Sequence, residues 1–253
     1  MRRAAALMLL AVLVTACGGG GGTSTPALPG PPVAGGMNLL FMGNSHTSAN
    51  GLPQMVAAMV AAATGKSVTA VEAPGSMFLG ERATDAASLR LLREGSWNFV
   101  VLQAQEYSSS GTFTYPTDGA EALVRMAREA HAVPILFPEW PRRGIDETQR
   151  IYALHVSIAM KEPACVAPIP QAFDLALAQH PELVLHADDG NHSSPAGAFL
   201  ASLVIATTIT TLAPDRLPFL PQLAVDAATQ EKLRLAAAAT VAAFPPRQWC
   251  PGT

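Results

Sequence analysis

The sequence predicts a single α/β domain, a three-layer α/β/α sandwich with a mainly parallel sheet of about five strands. Short apolar runs alternate with longer helical stretches from Met37 onward, and this alternation is typical of a parallel sheet covered by helices on both faces. The composition, 49% hydrophobic and 14% charged residues, fits a packed globule. The chain beyond residue 36, about 215 residues, suits one domain with a large core.

Five short apolar runs are the predicted strands. The first run reads Leu-Leu-Phe-Met without interruption, and the third follows Trp97. Such continuous apolar runs are typical of strands buried on both faces of a sheet. The predicted strands cover residues 39–42, 67–71, 99–102, 133–137 and 165–169.

Six longer stretches are the predicted helices. The first is Ala-rich with helical apolar spacing, and the third begins at Asp118 and keeps its charged residues on one face. The fifth begins with Ser194 and Pro195, a good start signal because Ser caps a helix and Pro suits its first position. The predicted helices cover residues 52–63, 85–93, 118–131, 146–161, 194–212 and 226–243.

The N-terminus predicts export. Two arginines follow Met1 and precede an apolar run over residues 4–14, as in a secretory signal. The run is too short for a membrane-spanning helix, which takes about 20 residues. Residues 13–17 read Leu-Val-Thr-Ala-Cys, which resembles the bacterial lipobox and implies that Cys17 is lipidated once a signal peptide, residues 1–16, is removed. An ordinary signal peptide cut near Ala16 is the alternative.

The residues after Cys17 predict a tether to the membrane. Residues 17–36 are rich in Gly, Pro, Ser and Thr, a composition typical of flexible linkers. We therefore expect a folded domain over residues 37–253, held to a bacterial membrane on its periplasmic or cell-surface side.

Charge and cysteine content limit the classes of partner and bond. The formal net charge of −3 offers no basic surface for nucleic acid. Besides Cys17, the chain has Cys165 and Cys250. An exported protein could join them in a disulfide, or they could remain two buried thiols.

The first candidate motif follows the first predicted strand. Residues 43–47 read Gly-Asn-Ser-His-Thr, and a Gly directly after a buried strand permits a tight turn. Ser45 would then lie at the carboxyl edge of the sheet, where ligands of parallel α/β sheets bind. Alone, the motif fits an ordinary turn or capping serine better.

The second candidate motif precedes the fifth predicted helix. Asp189 stands three residues before His192 in a short polar loop, so the carboxylate can orient the imidazole and stabilise its charged form. The imidazole can then accept a proton from a serine hydroxyl. Alone, this loop could simply cap the helix.

Taken together, the early Ser45 and the late Asp189 and His192 resemble the SGNH (GDSL-like) hydrolase family. The resemblance spans roughly residues 39–212 and implies a flavodoxin-like fold, a nucleophile at Ser45, a base at His192 and an orienting carboxylate at Asp189. Asn44 stands where the family usually has Asp, which leaves the subfamily open. The family implies hydrolysis of carboxylic esters without a cofactor or a metal.

The family also has oxyanion donors from a Gly and an Asn. Gly75 follows the second strand and fits the Gly, so its N–H and that of Ser45 would bind the developing oxyanion. The Asn has no direct match. Gln105 takes that position in one register and Gln103 lies one alternating step away; a structural role for either amide is the alternative.

Other polar and aromatic residues have two interpretations each. Trp140, after the fourth strand, could stack on a substrate or anchor its loop, and Tyr107 begins a rim loop rich in Ser, Gly and Thr. His46 is expected to serve loop structure with its side chain pointing away from Ser45 and His192. His186 and Asp188 beside the second motif could suggest a metal site, but Ser45 explains Asp189 and His192 without one.

We therefore expect an ester hydrolase that acts on acyl or acetyl groups of small molecules, lipids or carbohydrate. Export and a surface anchor favour carbohydrate O-deacetylation slightly. The alternatives are a non-catalytic binding lipoprotein with the same fold and an O-acyltransferase that uses the same three residues.

Overall fold

A parallel five-stranded sheet forms the centre of the protein, for which a computed structural model describes residues 35–252. The predicted signal peptide, Cys17 and all but the last two residues of the predicted tether lie outside that range. The strands run in the order β2-β1-β3-β4-β5, and every pairing is parallel. They are β1 (Met37–Met42), β2 (Val68–Glu72), β3 (Phe99–Gln103), β4 (Val133–Phe137) and β5 (Cys165–Val166).

Nine α-helices occur in the described range, with short 3-10 turns at Ala49–Gly51 and Pro214–Arg216. No helix between residues 35 and 252 is long and apolar enough to cross a membrane. The helices are α1 (Ser45–Ser48), α2 (Leu52–Thr64), α3 (Leu79–Arg82), α4 (Ala86–Glu94), α5 (Asp118–Glu129), α6 (Thr148–Lys161), α7 (Ile169–Gln179), α8 (Pro195–Thr210) and α9 (Ala227–Ala243).

Alternate residues of the strands face two separate apolar cores. In β1, Leu39 and Phe41 pack in the core that contains α2, α7, α8 and α9, whereas Leu40 and Met42 pack in the core beneath α4, α5 and α6. Successive side chains of a strand point to opposite faces, so two helical layers are needed to bury both sets. The structure thus confirms the predicted three-layer α/β class.

The element bounds differ from the predictions mainly at short or proline-marked segments. The fifth strand ends at Val166, not at residue 169, because α7 begins at Ile169 after Pro168. Helix α7 was not predicted. Helix α5 ends at Glu129, and His131 just beyond it has a left-handed φ of 60°, a conformation that ends a helix.

The two cysteines of the described range form a disulfide. Cys165 in β5 bonds Cys250, 85 residues later, and both are buried. The bond attaches the segment after α9 to the edge of the sheet. Of the two alternatives that the sequence left open, the structure has the disulfide.

Loss of this disulfide is expected to destabilise the fold by about 2–4 kcal/mol, because the closed loop is long and its opening frees the unfolded chain. Urea unfolding of the wild type with and without dithiothreitol measures the loss. The Cys165→Ala/Cys250→Ala double variant should show no further response to dithiothreitol, and a wild type equally stable in both buffers would contradict the prediction.

Candidate functional site

Ser45 lies at the carboxyl end of β1, as the first residue of the short helix α1. Asn44 caps that helix, since its Oδ1 accepts the N–H of His46 at 3.0 Å. A Cβ at Gly43 would collide with Thr47 Oγ1 and with Gln103 Oε1. Packing therefore requires a glycine at this position, and Ser45 two residues later is exposed at the edge of the sheet.

The structure brings the side chains of Ser45, His192 and Asp189 into one hydrogen-bonded chain. His192 Nε2 lies 2.8 Å from Ser45 Oγ, and His192 Nδ1 lies 2.6 Å from Asp189 Oδ2. The other carboxylate oxygen, Oδ1, accepts the backbone N–H groups of Asn191 and His192, each at 2.9 Å. The spacing Asp-x-x-His thus folds the carboxylate back onto its own loop and onto the imidazole.

These hydrogen bonds determine the charge of Asp189 and the tautomer of His192. The His192 side chain, followed by the N–H groups of Asn191 and His192, holds the pKa of Asp189 well below its usual range. Because the carboxylate can only accept, Nδ1 of His192 carries a proton, and Nε2 of the neutral ring accepts the Ser45 hydroxyl proton. This arrangement suits proton withdrawal from Ser45.

His46 differs from its sequence-based interpretation. Its ring stacks on His192, with centroids 5.0 Å apart and planes at 28°, instead of pointing away. Burial, and secondly the proximity of His192, lower the pKa of His46 to about 4. His46 is therefore uncharged near neutral pH, and it packs against His192 without adding a positive charge.

Trp140 also differs from the substrate-binding role considered for it. The side chain is almost completely buried, stacks on Phe173 with centroids 5.2 Å apart, and donates from Nε1 to Asn191 O at 2.8 Å. It cannot cover a substrate from that position. The alternative interpretation, a loop anchor, is the one that the structure supports, and what Trp140 anchors is the loop that carries His192.

Gly75 lies in the loop after β2 and has a left-handed backbone conformation. Its φ of +77° is one that residues with a side chain rarely adopt. Among residues 35–252, no group accepts the N–H of Gly75 or that of Ser45. Both N–H groups are therefore available to a ligand.

The two glutamines do not offer the expected third donor. Gln103 is fully buried; its Oε1 accepts from Asn44 N at 3.0 Å, and its Nε2 donates to Glu139 Oε2 at 2.8 Å. Gln105 donates both amide hydrogens to backbone carbonyls, those of Glu106 and Pro116. The structural role left open for these amides is the one observed, because the turns around them need donors and acceptors.

A cleft of about 370 Å³ opens beside Ser45. Tyr107 lines it as predicted for the rim loop, and burial, followed by the charges of Glu139 and Glu147, raises the pKa of the Tyr107 hydroxyl. The remaining lining side chains are mostly polar. They are Asn44, Ser45, His46, Phe78, Gln105, Glu106, Ser109, Tyr115, Glu139, Arg142 and Asn191.

His186, considered above as a metal ligand, is buried and bonds Pro141 O at 2.8 Å through Nε2. Residues 35–252 contain no group of three potential ligands placed to hold a metal ion.

The sequence motifs missed two residues of the site, Glu139 in the cleft and Arg82 beneath it. Glu139 adjoins the more conspicuous Trp140, and Arg82 has no motif around it, so no local signal marked them.

The fold and this hydrogen-bonded chain at the carboxyl edge are typical of α/β serine hydrolases. No protein-family model and no curated protein matches the sequence. A solved protein from Slackia heliotrinireducens, provisionally described as an SGNH hydrolase, is 27% identical, with a TM-score of 0.57 over 69% of this chain and 99% of that chain. This likeness supports an SGNH/GDSL-like hydrolase family for the chain.

A second solved structure resembles the protein in fold. A DUF4886 family protein from Bacteroides uniformis is 17% identical, with a TM-score of 0.58 over 83% of this chain and 96% of that chain. A psychrotrophic esterase from a Pseudoalteromonas species is 16% identical, with a TM-score of 0.49 over 69% of this chain and 97% of that chain.

Glu139 is expected to make the stability of the folded protein depend on pH. Burial raises the pKa of Glu139 to about 7, above its ordinary value of about 4.5. Between these two values the folded protein binds more protons than the unfolded chain, so the stability contributed by this group falls as the pH rises through that window. The free energy of unfolding of Glu139→Gln, relative to that of the wild type, is therefore expected to rise by on the order of 2 kcal/mol from pH 5 to pH 8.

Urea unfolding at the two pH values measures this difference. Glu121→Gln is the matched control, because Lys161 lowers the pKa of Glu121 and moves its titration below pH 5. The control should differ from the wild type equally at both pH values. A Glu139→Gln variant that also shows no change between them would contradict the assigned pKa.

Proposed function

We propose that the protein is a serine hydrolase of carboxylic esters that acts through an acyl-enzyme on Ser45. The observation that carries the proposal is the hydrogen-bonded chain from Ser45 through His192 to Asp189, open to a cleft at the edge of the sheet. In this arrangement a weak nucleophile, a base and a group that orients the base lie within bonding distance.

The proposed reaction follows from the tautomer. Nε2 of His192 takes the Ser45 proton as Oγ attacks the ester carbonyl, and Asp189 stabilises the imidazolium that forms. The imidazolium then gives its proton to the leaving alcohol. Water, deprotonated by the same nitrogen, cleaves the acyl-Ser45 bond and restores the free serine.

The tetrahedral intermediate would be held by two backbone donors. The N–H groups of Ser45 and Gly75 have no partner within residues 35–252 and follow adjacent parallel strands. A side-chain donor is often worth about 2.7–4 kcal/mol in such sites. Because the amides of Gln103 and Gln105 are engaged elsewhere, we expect catalysis slower than a three-donor site would allow.

The cleft favours small acyl groups on polar alcohols. Glu106, Glu139 and Arg142 lie in its wall, and the aromatic rings of Phe78 and Tyr115 are partly exposed at its rim. Hydroxyl groups of a sugar can bond such charged side chains, and sugar rings can pack on aromatic faces. Acetylated carbohydrate is therefore the substrate class that we favour over long-chain lipid.

The decisive experiment compares two serines of the same short helix. Ser45→Ala is expected to lower kcat on p-nitrophenyl acetate at least about a thousandfold, because no other group can form the acyl-enzyme. Ser48→Ala, at the last residue of α1 and hydrogen-bonded to Glu72, should keep most of the activity. A screen over acyl-chain lengths and acetylated sugars then ranks the substrates.

The same assay separates the two alternative functions. The first alternative is a non-catalytic binding protein, for which the engaged glutamine amides are the supporting observation. Such a protein would release no p-nitrophenol above the Ser45→Ala background. An O-acyltransferase would transfer the acyl group to added sugar alcohols in preference to water, and product analysis detects that partition.

We further propose that the domain is exported and anchored through a lipidated Cys17. The sequence over residues 13–17 motivates this, and the Cys165–Cys250 disulfide supports an oxidising compartment. In a bacterial expression host, wild-type protein is expected in the membrane fraction and Cys17→Ala in the soluble exported fraction. Mass spectrometry of the mature N-terminus provides the readout, and an unmodified Cys17 in the membrane fraction would contradict lipidation.

A further inference from the structure

Arg82, the last residue of α3, lies beneath the two loops that carry Ser45 and Gly75. Its side chain is fully buried, which is rare for arginine. The side chain takes no part in the reaction proposed above. Its position therefore needs a reason of its own.

The guanidinium group joins the two loops by hydrogen bonds to their carbonyl groups. Nη2 donates to Gly43 O and, at 2.7 Å, to Gly75 O. Nη1 donates to Pro74 O at 3.2 Å and to Ser88 Oγ at 3.0 Å. One side chain thus binds the turn before Ser45 and both carbonyls around the Gly75 amide.

This buried cation has no carboxylate in direct contact. No ion pair involves Arg82 within residues 35–252, although Asp85, Glu72 and Glu81 lie near enough to favour its charge. Burial lowers its pKa from a very high value, and an arginine remains charged nonetheless. Burying an unpaired charge is costly, so a neutral donor would serve simple loop attachment at lower cost.

We propose that Arg82 is a positioning residue for the oxyanion site, which orients the Ser45 and Gly75 amides and strengthens the latter as a donor. The inference rests on the proposed function. The N–H of Gly75 and the carbonyl of Pro74 belong to the same peptide group. Donation from a cation to that carbonyl polarises the peptide, and hydrogen bonds in such chains strengthen one another.

The fixed positive charge adds a second effect. Donors and charges that are in place before the reaction stabilise a developing oxyanion without reorganisation, and they act strongly where water is excluded. Arg82 thereby compensates in part for the amides of Gln103 and Gln105, which are bound to other groups. The two backbone N–H groups and the arginine behind them form one unit.

The test compares Arg82→Met and Arg82→Lys with the wild type. Arg82→Met is expected to lower kcat about 100-fold, in the range found for loss of one oxyanion donor, with KM changed less than about threefold because the ground-state carbonyl carries little charge. Arg82→Lys keeps a charge but not the planar set of donors, so an intermediate loss is expected.

A transition-state analogue separates positioning from general damage. An acyl trifluoromethyl ketone adds to a serine hydroxyl and forms a tetrahedral oxyanion, so its inhibition constant should weaken in proportion to the loss of kcat/KM across the variants. Arg234→Met is the matched control, since Arg234 is mostly buried and donates to the Leu217 carbonyl away from the cleft. It should lose stability but keep kcat/KM.

Distinct results would overturn the inference. If folded Arg82→Met keeps kcat/KM and the analogue affinity within threefold of the wild type, Arg82 has a structural role alone. If Arg82→Met does not fold, the same result with Arg82→Lys leads to the same conclusion. A wild type without Ser45-dependent esterase activity would instead remove the proposed function, and the inference with it.

Discussion

The hydrogen bond between Ser45 and His192 is the contact on which the whole candidate site depends, and it joins residues 147 positions apart. It can form because the turn Ala49–Gly51, which follows β1 and α1, packs against α8, the helix that follows the His192 loop. Ser194 caps α8, and Asn50 donates to Ser193 O at 2.8 Å. These bonds keep the late loop against the turn after β1.

Beneath this contact lies a polar layer that is unusual for the interior of a parallel sheet. Gln103 connects the Ser45 turn to Glu139, and Arg82 connects that turn to the Gly75 loop. Every such group would be costly if left without a partner. The turns are therefore held by a network in which one substitution disturbs several loops. His46 stacks on His192 and also contacts the ring of Trp140.

Prediction succeeded where a feature is local. The apolar strands and the long helices follow from periodicity, and Ser194 with Pro195 starts a helix in the structure as in the sequence. Prediction failed where two signals conflict or where none exists. The fifth strand was predicted over residues 165–169, yet α7 begins at Ile169, because proline is compatible with the first turn of a helix.

The sequence by itself determined the fold class and the three residues most suited to nucleophilic chemistry, because both depend on residue type, order and local spacing. Only the tertiary structure decided what surrounds them. Whether Trp140 is exposed, whether His46 stacks on His192, and whether a glutamine amide is free are questions of which distant side chain fills the space. Hydrogen bonds and packing between residues far apart in the chain have no periodicity, so no local pattern encodes them.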